Sequence, residues 1–244
     1  MAKFITIGER LSTTAPAVNK AFTERDPEPI LARAKQQLDA GAYYLDVNIG
    51  PAESDGVELM KWCVELLQSN FDNVPLALDT ANKAAIEAGI SVYNRAKGKP
   101  IVNSADAAGR IEYIDLAAAN DAIVIALCNG EGIAKDNDER MGYLMTMLER
   151  GMEHGMEGED LWFDPLFLVT KGMQDKQMEI LEFIGQISAG SQFYRRSVQQ
   201  LQRYAQAHPS DHGFRNGSHG YDAGPYLCNR EPERPASDGD HQVL

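Results

Sequence analysis

The sequence predicts an α/β fold of the TIM (β/α)8-barrel type, and three observations predict it. Short apolar runs alternate with longer amphipathic stretches. Six strand–helix units fit into about 190 residues, a spacing of about 32 that would bring eight units to the usual barrel size of about 250 residues. Each apolar run gives way to a carboxylate or an amide. Strands that are apolar throughout and separated by helices indicate a parallel sheet covered on both faces.

Taken in order, "KFITIGE" reads as the first strand. "EPILARAKQQLDAG" follows as a helix, because Ile30, Leu31, Ala34 and Leu38 share a face and Gly41 stops it. "YYLDVNIG" is the second strand and "GVELMKWCVELLQSNF" its helix. "VPLALDT" precedes "KAAIEAGISVYNRA", and "PIVNSA" precedes "IEYIDLAAAN". "AIVIALCN" precedes "ERMGYLMTMLERGMEHG", and "LWFDPLFL" precedes "KQMEILEFIGQISAG". The barrel domain is expected over residues 1–190.

The chain has 244 residues, 43% of them hydrophobic, enough for one sizeable core. A formal charge of −13 makes it a poor partner for nucleic acid or an anionic membrane. No apolar run reaches the roughly 18 residues of a membrane span, and "MAKFITIGER" is too polar for a signal peptide. Cys63, Cys128 and Cys228 have neither metal nor disulfide spacing. A reduced, cytoplasmic setting and no metal site are expected.

In a βα barrel, function gathers where strands end and loops begin. The polar residues that follow the apolar runs are Glu9, Asp46 with Asn48, Asp79, Asn103, Asn129 and Asp164. On adjacent parallel strands they would converge on one mouth. With no histidine, cysteine or lysine among them, they suggest neither nucleophilic catalysis nor zinc. They suggest hydrogen bonding to a flat heterocycle, since a carboxylate accepts two parallel N–H bonds and an amide both donates and accepts. The competing explanation is that an Asp or Asn after a strand caps the next helix. Asp79 and Asn103 are the most open to it. Asp164 is less so, because Pro165 and "LFLV" follow it.

The segments "IGERL", "AGAYYLDVNIGP", "LALDTAN", "IVNSADA", "GIAKDNDER" and "LWFDPL" resemble, in order and spacing, the pterin-binding methyltransferases. These are the methyltetrahydrofolate–corrinoid protein methyltransferases and the folate domain of cobalamin-dependent methionine synthase, with dihydropteroate synthase more distant. The resemblance implies a TIM barrel with the pterin held in its mouth. It assigns pterin contacts to Asp79, Asn103 and Asp164, with Glu9, Asp46, Asn48 and Asn129 in support. The implied reaction moves a methyl group between N5 of tetrahydrofolate and the cobalt of a corrinoid (cobalamin) carried by a partner protein. A homodimer is the family's usual form. Two departures stand out: Ser12 replaces a family Asn and could weaken a hydrogen bond near the mouth, and Ala134 replaces a Pro and loosens a loop. The runner-up chemistry, a dihydropteroate synthase-like condensation, needs a basic residue late in the barrel to take pyrophosphate, and no candidate stands out before residue 190.

From Ser191 to Leu244 the composition breaks: there is no lysine, isoleucine or methionine, while His208, His212, His219 and His241 fall here. The family's catalytic Asn belongs to a "GLSN" motif on strand seven, absent in this frame, so the catalytic residue is unknown. Codons for "QFYRRSVQQLQRYAQAHPSDHG", read one base later, permit "SSTVGLSNNSNGTPKHIRPIM", and Gln199 lies over the codon of that Asn. Residues 191–244 are therefore expected to be an irregular, out-of-frame tail, with the last two units lost and methyl transfer impaired. A non-catalytic pterin-binding remnant is the other reading. A disordered arm and a histidine-rich metal-binding tail are weaker readings of the same segment.

Overall fold

The computed structural model describes residues 5–168 and 174–189. The tail expected over residues 191–244, with everything expected of it, lies outside them. Six strands, β1 (Ile7–Ser12), β2 (Tyr44–Asn48), β3 (Leu76–Asp79), β4 (Ile101–Asp106), β5 (Ile123–Leu127) and β6 (Leu161–Asp164), form one sheet in sequential order. Every pairing is parallel. The connections carry α1 (Pro16–Glu24) with α2 (Pro27–Asp39), α3 (Gly56–Asn70), α4 (Lys83–Ser91), α5 (Glu112–Ala119) and α6 (Asn137–Glu153), and α7 (Gln174–Ala189) follows β6. The α/β class and all six strand–helix units are as expected. Helix α1 was not expected; it is a nine-residue helix begun by a proline at its first position.

Side chains alternate across a strand, and the two faces of this sheet differ. Leu45, Val47, Leu76, Leu78, Val102, Val124, Ala126 and Leu161 face outward into one large core. Helix residues such as Phe22, Ile30, Met60, Val64, Ile86, Ile114, Met147 and Phe183 close over them. The opposite face carries a small second cluster of Tyr44, Ala77, Ile101 and Ile123, flanked by Ile7, Ile125 and Trp162. Among the described residues no helix side chain contributes to that cluster. Both faces are thus covered, as expected of a barrel wall: the outer face by helices, the inner face by the curved sheet's own side chains.

The curvature can be read from contacts. Strands lie about 4.8 Å apart, so β2 and β6 would be about 19 Å apart in a flat sheet. The Tyr44 and Trp162 rings nevertheless meet edge-on with centroids 6.0 Å apart. The sheet is therefore bent into an arc, the wall of a barrel. The apolar inner cluster sits at the N-terminal ends of the strands and forms its floor.

Candidate functional site

Above that floor, one turn of the pleat toward the C-terminal ends, the inner face becomes polar. Strand register aligns Ser12, Asn48, Asp79 and Asn103 in one row across β1 to β4. Asp46 lies two residues before Asn48 and so shares its face. The side chains interlock in two pairs. Asn48 Nδ2 donates to Asp79 Oδ2 at 2.5 Å, while Asn48 Oδ1 accepts from the Gly50 N–H at 3.0 Å. Asn103 Nδ2 donates to Asp46 Oδ1 at 3.0 Å, reaching from β4 to β2 over the intervening β3. In a flat sheet those strands would be about 10 Å apart, so the same curvature makes this bond.

Both carboxylates are hard to ionise. Burial, then the nearby charges of Asp79 and Glu9, push Asp46 up to about 7, against the pull of the Asn103 hydrogen bond. Burial pushes Asp79 up to about 6, assisted by Glu9 and opposed by the Asn48 hydrogen bond and the charge of Arg110. Perturbed carboxylates in a concave polar cluster are a signature of a binding or catalytic site.

Helix capping does not account for Asp79 or Asn103. Helix α4 is capped by Asn82, whose Oδ1 accepts from the Ala85 N–H at 3.2 Å. Helix α5 starts after Ile111, with no side-chain cap at all.

Asp164 closes β6 on the same inner face, level with Leu127 and two strands from Asn103. Its Oδ1 accepts from the Leu166 N–H at 2.8 Å, a turn that holds the carboxylate in place. Four expected residues, Asp46, Asn48, Asp79 and Asn103, thus form two hydrogen-bonded pairs side by side, and Asp164 lies on the same face two strands away.

Two expectations need correcting. Glu9 does not end its strand: it is exposed inside β1, which runs on to Ser12. The cause is a register shift between Gly8 and Leu11. The buried Gln37 on α2 stabilises it by accepting the Arg10 N–H at 2.7 Å. A Cβ at residue 8 would meet that Gln37 oxygen at 2.7 Å, so only glycine lets it approach. Ser12 therefore occupies the row that Glu9 was expected to fill. Its hydroxyl is engaged locally, 3.0 Å from Thr14 Oγ1. Likewise Asn103 is not the end of β4, which continues past a register shift to Asp106.

Asn129 lies two residues beyond β5. Its carbonyl accepts from the Ala107 N–H at 2.9 Å. Its side-chain Oδ1 is buried with no donor among the described residues. Ala134 is buried in the following loop.

Three residues of this region escaped the sequence reading. Asp106 accepts from the Ala108 N–H, the Arg110 N–H and Arg110 Nε at 3.0, 3.0 and 2.9 Å. Burial works to raise its carboxyl, but these bonds and the Arg110 charge hold it below the usual range. Arg110 also bears on Asp79, as above. Arg140, only 1% exposed, donates through Nε to the Pro165 carbonyl at 3.2 Å and pairs with Glu179 at 3.2 Å. Its guanidinium also bonds Asn137 and lies 5.6 Å from the Phe183 ring centroid. It thereby ties α6 to the turn that orients Asp164. A signal was present: Arg140 falls on the buried stripe of Leu144, Met147, Leu148 and Gly151.

Among the described residues no group of three or more histidine, cysteine, aspartate or glutamate side chains could hold a metal ion, and no helix is long and apolar enough to cross a membrane.

A family model described as pterin binding enzyme matches residues 8–198. The methylcorrinoid:tetrahydrofolate methyltransferase of Eubacterium limosum is 27% identical over 195 residues, covering 78% of this chain and 69% of that protein. Among solved structures, Yersinia pestis DHPS with a pterine-sulfa conjugate superimposes with a TM-score of 0.56 at 19% identity, over 79% of this chain and 69% of that one. The 7,8-dihydropteroate synthase from Vibrio fischeri also gives 0.56, at 16% identity, over 78% of this chain and 70% of that one. At those identities the two structures bear on fold alone.

Proposed function

This chain belongs to the pterin-binding enzyme family, and from that premise we propose that it moves a methyl group between N5 of tetrahydrofolate and the cobalt of a corrinoid on a separate protein. The name of the Eubacterium limosum relative supports that chemistry. The observation that carries it is the row of acceptors. Asn48 and Asp46 engage one end each of Asp79 and Asn103. Asp79 Oδ1 and Asn103 Oδ1 then have no hydrogen-bond donor among the described residues. A pterin offers an amino group and ring N–H groups at its edge, and Asp79, Asn103 and Asp164 are groups of the kind that accept from them. The corrinoid supplies the cobalt that gives or takes the methyl group.

The work left to this chain is to bind and orient the pterin and to manage a proton. A tertiary amine leaves only if it gains a proton or a hydrogen bond as the C–N bond breaks, so help that grows with developing charge lowers the barrier. The family residue for that task is the strand-seven Asn, which the frame of this chain does not encode. Transfer by the 244-residue chain is therefore proposed to be slow, with pterin binding retained.

Titrating the chain with tetrahydrofolate, then assaying methyl exchange with a reduced corrinoid protein, tests the reading. Binding with measurable exchange supports it. Binding without exchange favours the non-catalytic remnant. Pyrophosphate release from a pterin pyrophosphate would transfer the assignment to dihydropteroate synthase-like condensation, and failure to bind any pterin would remove the reading altogether.

A further inference from the structure

The bond between Asn103 and Asp46 has a direction. An ionised carboxylate can only accept, so it takes the NH2 end of the Asn103 amide and turns the carbonyl end away from itself. A protonated carboxyl can donate, and its natural partner is then the carbonyl end. We propose that Asp46 is a positioning residue that sets which end of the Asn103 amide meets the ligand, so that one proton on Asp46 converts Asn103 from an acceptor into a donor. This rests on the reading of the cluster as a pterin site. It adds a residue that selects among ligands by where their donors and acceptors lie.

The geometry favours a switch. Asp46 is 3% exposed, so no water shell competes for its proton. Asn103 is its one hydrogen-bond partner among the described residues. The charged groups that face it are Asp79 from β3 and Glu9 from β1, and both favour the protonated form. Arg110 bears on Asp79 rather than on Asp46. Helix α2 packs on the far side of β2 and buries Ile30, Ala34 and Gln37, none of them charged. Burial places the titration of Asp46 at about 7, where a small change of pH changes its state.

With Asp46 protonated, Asn103 no longer accepts from the pterin, and one neutral hydrogen bond is lost. That weakens binding by about three- to tenfold. The test is the dissociation constant of tetrahydrofolate between pH 5.5 and 8.5, for the wild-type chain and for Asp46→Asn. Affinity is expected to rise with pH in the wild type and to lose most of that slope in Asp46→Asn. Asp79→Asn separates the contribution of the second carboxylate and should leave a slope whose midpoint lies below that of the wild type, because the Asp79 charge that helps to hold Asp46 up is gone. An unchanged slope in Asp46→Asn overturns the proposal.

A ligand-free readout keeps it independent of the pterin assignment. With labelled aspartate and asparagine, the Asn103 side-chain NH2 resonances are expected to shift with the same midpoint as the Asp46 carboxyl carbon, and not to shift in Asp46→Asn. If Asp46 titrates and the Asn103 amide does not respond, the switch is wrong even where pterin binds. If the amide responds and no pterin binds, the switch stands and the functional reading falls.

Discussion

Asn48 on β2 donates to Asp79 on β3 at 2.5 Å while its own carbonyl oxygen accepts from the Gly50 N–H at 3.0 Å. An asparagine engaged at both ends cannot rotate, so it holds one Asp79 oxygen and leaves the other for a ligand. The same bond opposes the rise of the Asp79 carboxyl. Asn48→Ala is therefore expected to raise the Asp79 titration above about 6 and to weaken pterin binding by about tenfold. Carboxyl-carbon NMR and equilibrium titration check the two effects separately.

Removing the carboxylate itself costs more. Asp79→Ala deletes a charge-assisted acceptor, and about 1.5–3 kcal/mol, or ten- to more than a hundredfold in affinity, is expected to go with it. The fold should survive, because relieving a buried charge next to Asp46 offsets the lost Asn48 bond. Circular dichroism alongside the titration distinguishes lost binding from lost structure.

Asp46 makes stability depend on pH with a definite sign. Its folded value of about 7 lies above the ordinary carboxylate range, so between about 4 and 7 the native chain holds more protons than the unfolded one. The stabilisation is complete below that window and is lost as pH rises through about 7. Asp79 adds in the same direction at about 6. Asp46→Asn is expected to gain roughly 2–4 kcal/mol over the wild type at pH 8, relative to their difference at pH 4.5. Urea denaturation at the two pH values measures it, and a parallel pair of curves would count against a buried titrating Asp46.

Arg140 joins α6, the Pro165 carbonyl and Glu179 on α7. Arg140→Ala leaves the Pro165 carbonyl without its donor, leaves Glu179 only the Lys176 bond, and removes the guanidinium that packs on Phe183. A loss of about 3 kcal/mol is expected, at the lower end for a broken buried pair because Glu179 is partly solvated. Weaker pterin binding should accompany it, since the Asp164 turn loses its anchor. Arg140→Lys, which cannot form the same fork, should recover only part of either effect.

Gly89 on α4 shows how closely the outer helices are packed. A Cβ there would meet Met60 Cγ at 2.7 Å and Leu78 Cδ1 at 3.0 Å. Gly89→Ala is expected to destabilise by about 1–3 kcal/mol despite alanine's better helix propensity. A shift of the thermal midpoint to lower temperature is the readout; an increase would mean that Met60 moves aside freely.

The coding DNA carries a further expectation. Read in the +1 frame beyond codon 191, it should encode "GLSN", and a chain rebuilt in that frame should exchange methyl groups faster than the 244-residue chain. Stop codons in that frame would end the idea.

Much of the wall was legible because its signals are local. Leu76 and Leu78 belong to an unbroken apolar run and Leu45 and Val47 to a run interrupted only by Asp46, and such runs between helices have few other folds open to them. The inner row was legible for a related reason: Asp46, Asn48, Asp79 and Asn103 are polar in strands that otherwise exclude polarity. What sequence did not reveal was register. Glu9 and Ser12 differ by three residues, and the register shift that brings Ser12 into the row is accompanied by a bond from Arg10 N–H to Gln37, 27 positions away. Arg140 was hidden differently. Its neighbours Asp136, Asp138 and Glu139 look like a solvated helix start, and its partners Pro165 and Glu179 lie in later elements. Long-range polar bonds of this sort leave no periodic trace.

The edge-on meeting of Tyr44 and Trp162 also braces the arc mechanically. The two rings belong to strands that share no ladder of main-chain bonds, so their contact is a strut across the curve near its floor. Flattening the described sheet would have to break that strut first.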